Sequence, residues 1–260
     1  MDYRKTLSAL AGFVILFGLY HGAEYMILYK NSPAGFLGFH ALFIVAAWLI
    51  AKWQFKSSLT AWGFIPGRKT WLQLLAGIIT GILLYGITFF INTRTGVETA
   101  GEWPPLKAVY GALALFIFGN FFSSFSEDVL TRGYIFKQLG TRLGPVLLVL
   151  LSATVYVLNH IYRLTDGWET YCYLFTLGVL LMVPLVRTRQ IWLTGAIHWA
   201  GNCTFFYTHE IVKAQTGPTA ISANMVFTAV MVCFTVMLLL LPQRFYNRIS
   251  RVADKEDRSL

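Results

Sequence analysis

Glu127, Asp128 and Arg132 fall within six residues of one another in NFFSSFSEDVLTRGYIF, residues 120–136, inside a chain that is otherwise strongly apolar. An ionisable side chain at membrane depth costs about 2.5–3.5 kcal/mol at a helix centre. Three of them are kept together only where they pair or act. On a helix Asp128 and Arg132 are i,i+4 neighbours on one face, while Glu127 points about 100° away from Asp128. One carboxylate can then be held by the guanidinium while its neighbour faces another helix. Two later stretches offer partners: TVYVLNHIY places Tyr156 and His160 on one helical face, and GAIHWAGNC does the same for His198 and Asn202.

These residue types point to hydrolysis. A desolvated Glu127 facing a cavity can act as general base, drawing a proton from water that attacks a peptide carbonyl. His160 and His198 can hold that water by hydrogen bonds, or ligate a divalent metal such as zinc together with Glu127. The sequence has no HExxH and leaves both routes open. Asn202, one turn beyond His198, can donate to the oxyanion of a tetrahedral intermediate. Arg132 reads as the counter-ion that allows two adjacent carboxylates to be buried, and Tyr156 packs over the site. Each residue also has a plain structural reading. Glu127 could be a helix-end glutamate at the interface and Arg132 a snorkelling arginine. Asn202 could make an interhelical hydrogen bond, and a lone histidine is usually a satisfied core residue. The recurrence of acid, histidine and histidine on three separate apolar helices favours a shared site.

The order EDxxxR, YxxxH and HxxxN resembles the CPBP family of intramembrane proteases, whose members include the type II CAAX prenyl endopeptidases and the Abi-like proteins. The family pattern is EExxxR, FxxxH and HxxxN or B. The flanks TRGYIF and RTRQIWLTGAIHWAGN are similar too, and the resemblance covers about residues 105–205. It implies a membrane-embedded endopeptidase in which Glu127 is the base, in a family described both as metalloprotease and as glutamate-type. It also implies a membrane-associated protein or peptide as substrate, lipid-modified in eukaryotic relatives and linked to bacteriocin maturation or self-immunity in prokaryotic ones. Asp128 departs from the family's second glutamate. It is one methylene shorter but keeps the charge and the relation to Arg132, and it reads as an ion pair orienting Glu127.

Composition agrees with a membrane setting. The chain has 260 residues, 56% hydrophobic and 13% charged, which describes a polytopic membrane protein rather than a soluble domain. Net charge is +9, but the basic residues sit at the ends of apolar runs, so nucleic acid is not the expected partner; the lipid bilayer is. Cys172, Cys203 and Cys233 lie in apolar segments without disulfide or zinc-knuckle spacing. The fold class is therefore all-α, a single membrane helix bundle over residues 1–260 with a motif-bearing core at about 105–205. Eight spans are expected, near Leu7–Tyr29, Ala34–Trp53, Trp71–Asn92, Leu106–Phe136, Leu143–Tyr162, Glu169–Val186, Ile191–Ile211 and Ala220–Leu241. Pro184 is expected to end or kink the sixth.

Positive residues place both termini in the cytoplasm, with only Lys30, Arg94, Lys107, Arg163 and Lys213 on the other side. The basic tail, residues 243–260, is expected on the anionic cytoplasmic leaflet. Glu127 then falls in the cytoplasmic half of its helix, with a cavity opening to that side or laterally to lipid. A second cluster, Tyr20, His21 and Glu24, is expected in the outer half, far from Glu127, while His40 and His209 have no assigned role. Compact loops suggest a prokaryotic protein of the inner (cell) membrane. Two rival functions fit the same residues. One is a catalytically silent scaffold or immunity protein of the same fold; the other is an ion- or proton-coupled transporter, disfavoured by the lack of an inverted repeat.

Overall fold

A computed structural model describes residues 3–250, so the tail beyond Ser250 lies outside the described residues. Ten α-helices follow in order among them: α1 (Tyr3–Leu28), α2 (Pro33–Phe55), α3 (Thr70–Thr95), α4 (Leu106–Asp128), α5 (Tyr134–Leu139), α6 (Pro145–Asn159), α7 (Trp168–Thr188), α8 (Trp192–Phe205), α9 (Ala223–Leu240) and α10 (Gln243–Ser250). A π turn, Val129–Gly133, joins α4 to α5, and a second, Phe206–Ile211, extends α8. All eight apolar segments are helical. Six are long and apolar enough to cross a membrane: α1, α2, α3, the continuous α4–α5 rod from Leu106 to Leu139, α7 and α9. The other two expected spans are shorter: α6 has 15 residues, and α8 has 14 before the π turn that extends it.

The outside of the bundle is apolar. Val14, Leu42, Leu83, Phe90, Leu115 and Leu240 are all exposed. So many exposed large apolar side chains on long apolar helices belong in lipid, and the chain is an integral membrane protein. Inside, one buried cluster gathers Leu16, Phe43, Trp62, Leu130 and Tyr134 around α1, α2 and the α4–α5 rod. A second gathers Leu84, Leu180, Leu181 and Met231 around α3, α7, α8 and α9.

Small residues set the spacings that place the motifs. α3 lies against α8 because Gly77 has no side chain, and a Cβ there would come within 2.7 Å of the Leu193 carbonyl oxygen. Gly195 lets the Phe125 ring of α4 lie on α8 in the same way. α2 starts as KNSPAG predicts, with the Ser32 hydroxyl accepting from Gly35 N–H at 3.1 Å and Pro33 in the first turn. Pro184 does not end its helix: α7 runs on to Thr188, whose hydroxyl donates to the Pro184 carbonyl at 2.7 Å, and stops at Arg189 with φ 56°.

Gly133 closes the π turn against a short 3-10 turn, Leu59–Trp62. A Cβ there would meet the Trp62 carbonyl oxygen at 2.7 Å. Backbone cannot yield cheaply, so Gly133→Ala is expected to destabilise the bundle by about 1–3 kcal/mol. Gly111→Ala is the control, because nothing lies within 4 Å of its added Cβ; thermal unfolding in detergent compares the two.

Glu98 pins a two-residue antiparallel ladder, in which Glu98 pairs with Thr216 and Thr99 with Gln215. Its Oε1 lies 3.1 Å from His209 Nε2, and Asn92 Nδ2 donates to Oε2 at 3.1 Å. Burial pushes this carboxyl up, but the hydrogen bonds from His209 and Asn92 outweigh it, and the net effect holds it below its ordinary value. A depressed folded pKa contributes stability fully above the unfolded value, about 4.3, and loses it as pH falls through the folded one. Between pH 6 and pH 3 the wild type is therefore expected to lose more thermal stability than Glu98→Gln.

Candidate active site

The first motif lies on the widened turn. π turns are rare and recur at functional sites, and here the Thr131 hydroxyl donates to the Glu127 carbonyl at 2.7 Å. Ser152 of α6 donates to the Thr131 carbonyl at 2.8 Å, which ties α6 to the same turn. Asp128 and Arg132 are wholly buried and bonded through Oδ1 and Nη1. The guanidinium lies over the Tyr156 ring, 4.4 Å from its centroid, a cation–π contact that offsets part of its desolvation. Asp128 Oδ1 also lies 3.2 Å from His198 Nδ1. An ionised carboxylate only accepts, so His198 Nδ1 carries a proton and donates it to Asp128.

Glu127, itself 5% exposed, faces the opposite way. Its Oε2 lies 3.5 Å from His198 Nε2 and its Oε1 3.7 Å from His160 Nε2. The His160 Nδ1–H donates to the Tyr156 carbonyl at 2.8 Å, which turns its Nε2 towards Glu127. Asn159 Nδ2 donates to Glu127 Oε1 at 3.0 Å and fixes the carboxylate. The three motifs thus meet at one carboxylate. Glu127, Asp128, Arg132, Tyr156, His160 and His198 are brought together. Asn202 stands one turn further along α8, its amide donating to Ser124 Oγ at a long 3.4 Å, and it does not touch Glu127.

Several expectations need correction. His160 is not on the face of a helix with Tyr156: α6 ends at Asn159, and His160 is its cap, with φ −85° and ψ 54°. Its N–H bonds back to Val157, an i−3 contact that begins a 3-10 turn. The cluster on α1 is not remote. Tyr20 interacts electrostatically with Glu127 and bonds with Ser123, and Glu24 is within electrostatic reach of Glu127 and His160. The site is therefore nearer the end where α1 turns into α2. Tyr20 is eight residues from the end of α1 and 17 from its start, or about 12 and 25 Å at 1.5 Å per residue.

Two neighbours of Glu127 were not foreseen. Asn159 is the residue before His160, and a second polar group beside a motif histidine at the end of an apolar run was the available signal. His40 is wholly buried, with Nδ1 3.3 Å from the Ser126 hydroxyl and its ring against Phe36 at 4.5 Å. No hydropathy pattern distinguishes it from a core histidine.

Two hollows lie near these elements among the described residues. The larger, about 610 Å³, lies between segments 99–104 and 210–215 and includes no motif residue. The other, about 480 Å³, runs between α1, α2 and α4 and stops at Ser123, one turn before Glu127. As to metal, no group of three or more His, Cys, Asp or Glu among the described residues is arranged to hold an ion.

Comparison with curated proteins finds no match. Residues 109–204, which hold all three motifs, match the family model described as type II CAAX prenyl endopeptidase Rce1-like.

Proposed function

We propose that the chain is an intramembrane endopeptidase that hydrolyses a peptide bond of a membrane-associated protein or peptide, lipid-modified substrates included, in the cell membrane of a prokaryote. The observation that carries this reading is the facing of Glu127 by two imidazole nitrogens, at 3.5 and 3.7 Å. In the proposed resting state both imidazoles are neutral, their Nδ1 protons held by Asp128 and by the Tyr156 carbonyl, so that three acceptors converge on one point. A water molecule seated beside these three groups supplies two protons, one to Glu127 and one shared by the two imidazoles.

In the proposed reaction Glu127 takes a proton from this water as its oxygen bonds to the carbonyl carbon. His160 and His198 hold the water in line. Asn202, whose bond to Ser124 is long and easily exchanged, donates to the oxyanion. The proton then passes from Glu127 to the amide nitrogen, the C–N bond breaks, and a carboxylate and an amine leave. Asn159 keeps the Glu127 carboxylate aimed. Its loss removes a hydrogen bond to a charged group, so Asn159→Leu is expected to lower kcat about 10- to 100-fold with KM within about threefold.

The test compares membrane proteomes of cells making the wild type or Glu127→Ala at equal abundance, scored for new peptide termini by mass spectrometry. Termini that appear only with the wild type support the reading and give the substrate class. If no terminus depends on Glu127, the peptidase assignment falls.

A further inference from the structure

The groove beside the site holds a charge that its walls do not neutralise. Glu24 lies four residues before the end of α1, with its side chain 23% exposed. Its Oε2 accepts from His21 Nδ1 at 2.5 Å, and its Oε1 has no partner among the described residues. Two cations at this end of the bundle are engaged elsewhere: Lys30 rests over the Tyr25 ring at 5.7 Å, and Arg163 donates to Asp166 at 2.9 Å. Glu24 is the one charged residue among those that line the groove; the rest are apolar or uncharged, including Phe36, Leu115, Gly119, Asn120 and Ser123. Around the site as a whole, the carboxylates of Glu24, Glu127 and Asp128 are set against the single guanidinium of Arg132. An apolar slot with an unbalanced carboxylate at its edge is complementary to a cation on an apolar stem.

We propose that this groove receives the part of the peptide substrate next to the scissile bond, and that Glu24 selects a lysine or arginine there. The inference deepens the peptidase reading and rests on it. Ser123 ends the groove one helical turn before Glu127, about 6 Å along the axis, and an extended peptide covers about 3.3–3.6 Å per residue. The selected basic residue therefore lies within about two or three residues of the cleaved bond. Its methylenes lie on Phe36 and Leu115 while its charge reaches the carboxylate at the rim. A lipid chain would fill the same walls but would leave Glu24 Oε1 without a partner and His21 as the only one of Oε2.

Binding is measured on full-length Glu127→Gln protein in nanodiscs, with a 20-residue Leu/Ala peptide carrying one central lysine and with its norleucine and glutamate counterparts. The lysine peptide is expected to bind about tenfold or more tightly than the norleucine one, the worth of a hydrogen bond to a charged group. Adding Glu24→Gln collapses that preference to within about twofold. Glu24→Lys reverses it in favour of the glutamate peptide, a gain that a misfolded protein cannot show. Gly119→Leu fills the groove, since a Cβ there meets only the Phe36 ring at 3.5 Å, and weakens all three peptides. Equal binding of the lysine and norleucine peptides, or a preference that survives Glu24→Gln, overturns the inference. Equal binding that is lost only with Gly119→Leu identifies a lipid-chain slot and overturns it too. A parallel cleavage assay with wild-type Glu127 separates the two readings. Cleavage without charge preference sinks this inference alone, whereas charge-selective binding without Glu127-dependent cleavage of any peptide sinks the peptidase reading and the substrate assignment together.

Discussion

Glu127→Gln is expected to lower peptide hydrolysis by about 10²–10⁴-fold while leaving the fold intact. Glutamine keeps the size of the side chain and one acceptor oxygen, so the bond from Asn159, 3.0 Å in the wild type, can persist. Its amide can also meet the imidazole nitrogens, at 3.5 and 3.7 Å from the wild-type carboxylate. The packing is retained and a buried charge is removed, so thermal stability should hold or rise. What is lost is the base. Proton transfer by a positioned side chain contributes about 10²–10⁴-fold, and glutamine cannot accept the proton of water. The check is a steady-state assay beside a melting curve on the same preparation. A variant that melts like the wild type but keeps more than about a tenth of its rate would show that Glu127 is not the base. Glu127→Asp makes a second comparison: the charge stays, but the carboxylate retreats by a methylene from both histidines, and the rate should fall with little change in stability.

What could be read in the chain beforehand follows from which physical signals are local. Apolar run length marks a membrane helix without any knowledge of its neighbours, and the eight runs are all helical. The i,i+4 relation of Asp128 and Arg132 is likewise local, and the ion pair forms even though a π turn replaces the α turn between them. Depth is not local. Counting along α4 from Leu106 set Glu127 towards the cytoplasmic end and Glu24 far from it. The structure shows Phe36 of α2 beside Gly119, 13 residues into α4, so the rod begins roughly 15 Å beyond the α1–α2 turn at 1.5 Å per residue. That offset brings Tyr20 and Glu24 level with the site, and no hydropathy window contains it. The early end of α6 is hidden for a similar reason. Val157, Leu158 and Ile161 continue the apolar run, and the turn at His160 is made by its own N–H bond to Val157 and by the ring's bond to Tyr156.

Arg132→Leu is expected to be the most damaging single change to stability, about 3–5 kcal/mol, a large part of the roughly 5–15 kcal/mol that holds a folded domain. Asp128 is wholly buried, and its Oδ2 already has no protein partner. Without the guanidinium it keeps only the His198 Nδ1 contact at 3.2 Å and must be buried either as a lone anion or as an acid. The loss is not a measure of what the pair contributes. Arg132 is itself costly to bury, with Nε and Nη2 also lacking partners and only the Tyr156 ring beneath it. Removing both charges should therefore cost less than removing one. The double variant Arg132→Leu/Asp128→Leu is predicted to melt closer to the wild type than Arg132→Leu does, since buried ion pairs are often replaced by apolar groups at little cost. Activity should not follow stability in that recovery. Without Asp128 nothing fixes the proton of His198 on Nδ1, so the imidazole can turn either nitrogen towards Glu127 and the water between them is no longer held in one geometry. A double variant that regains its melting temperature but stays inactive would assign the pair to orientation of His198. One that regains both would show that the pair is dispensable to the chemistry, and one less stable than Arg132→Leu would show that the ion pair itself holds the bundle together.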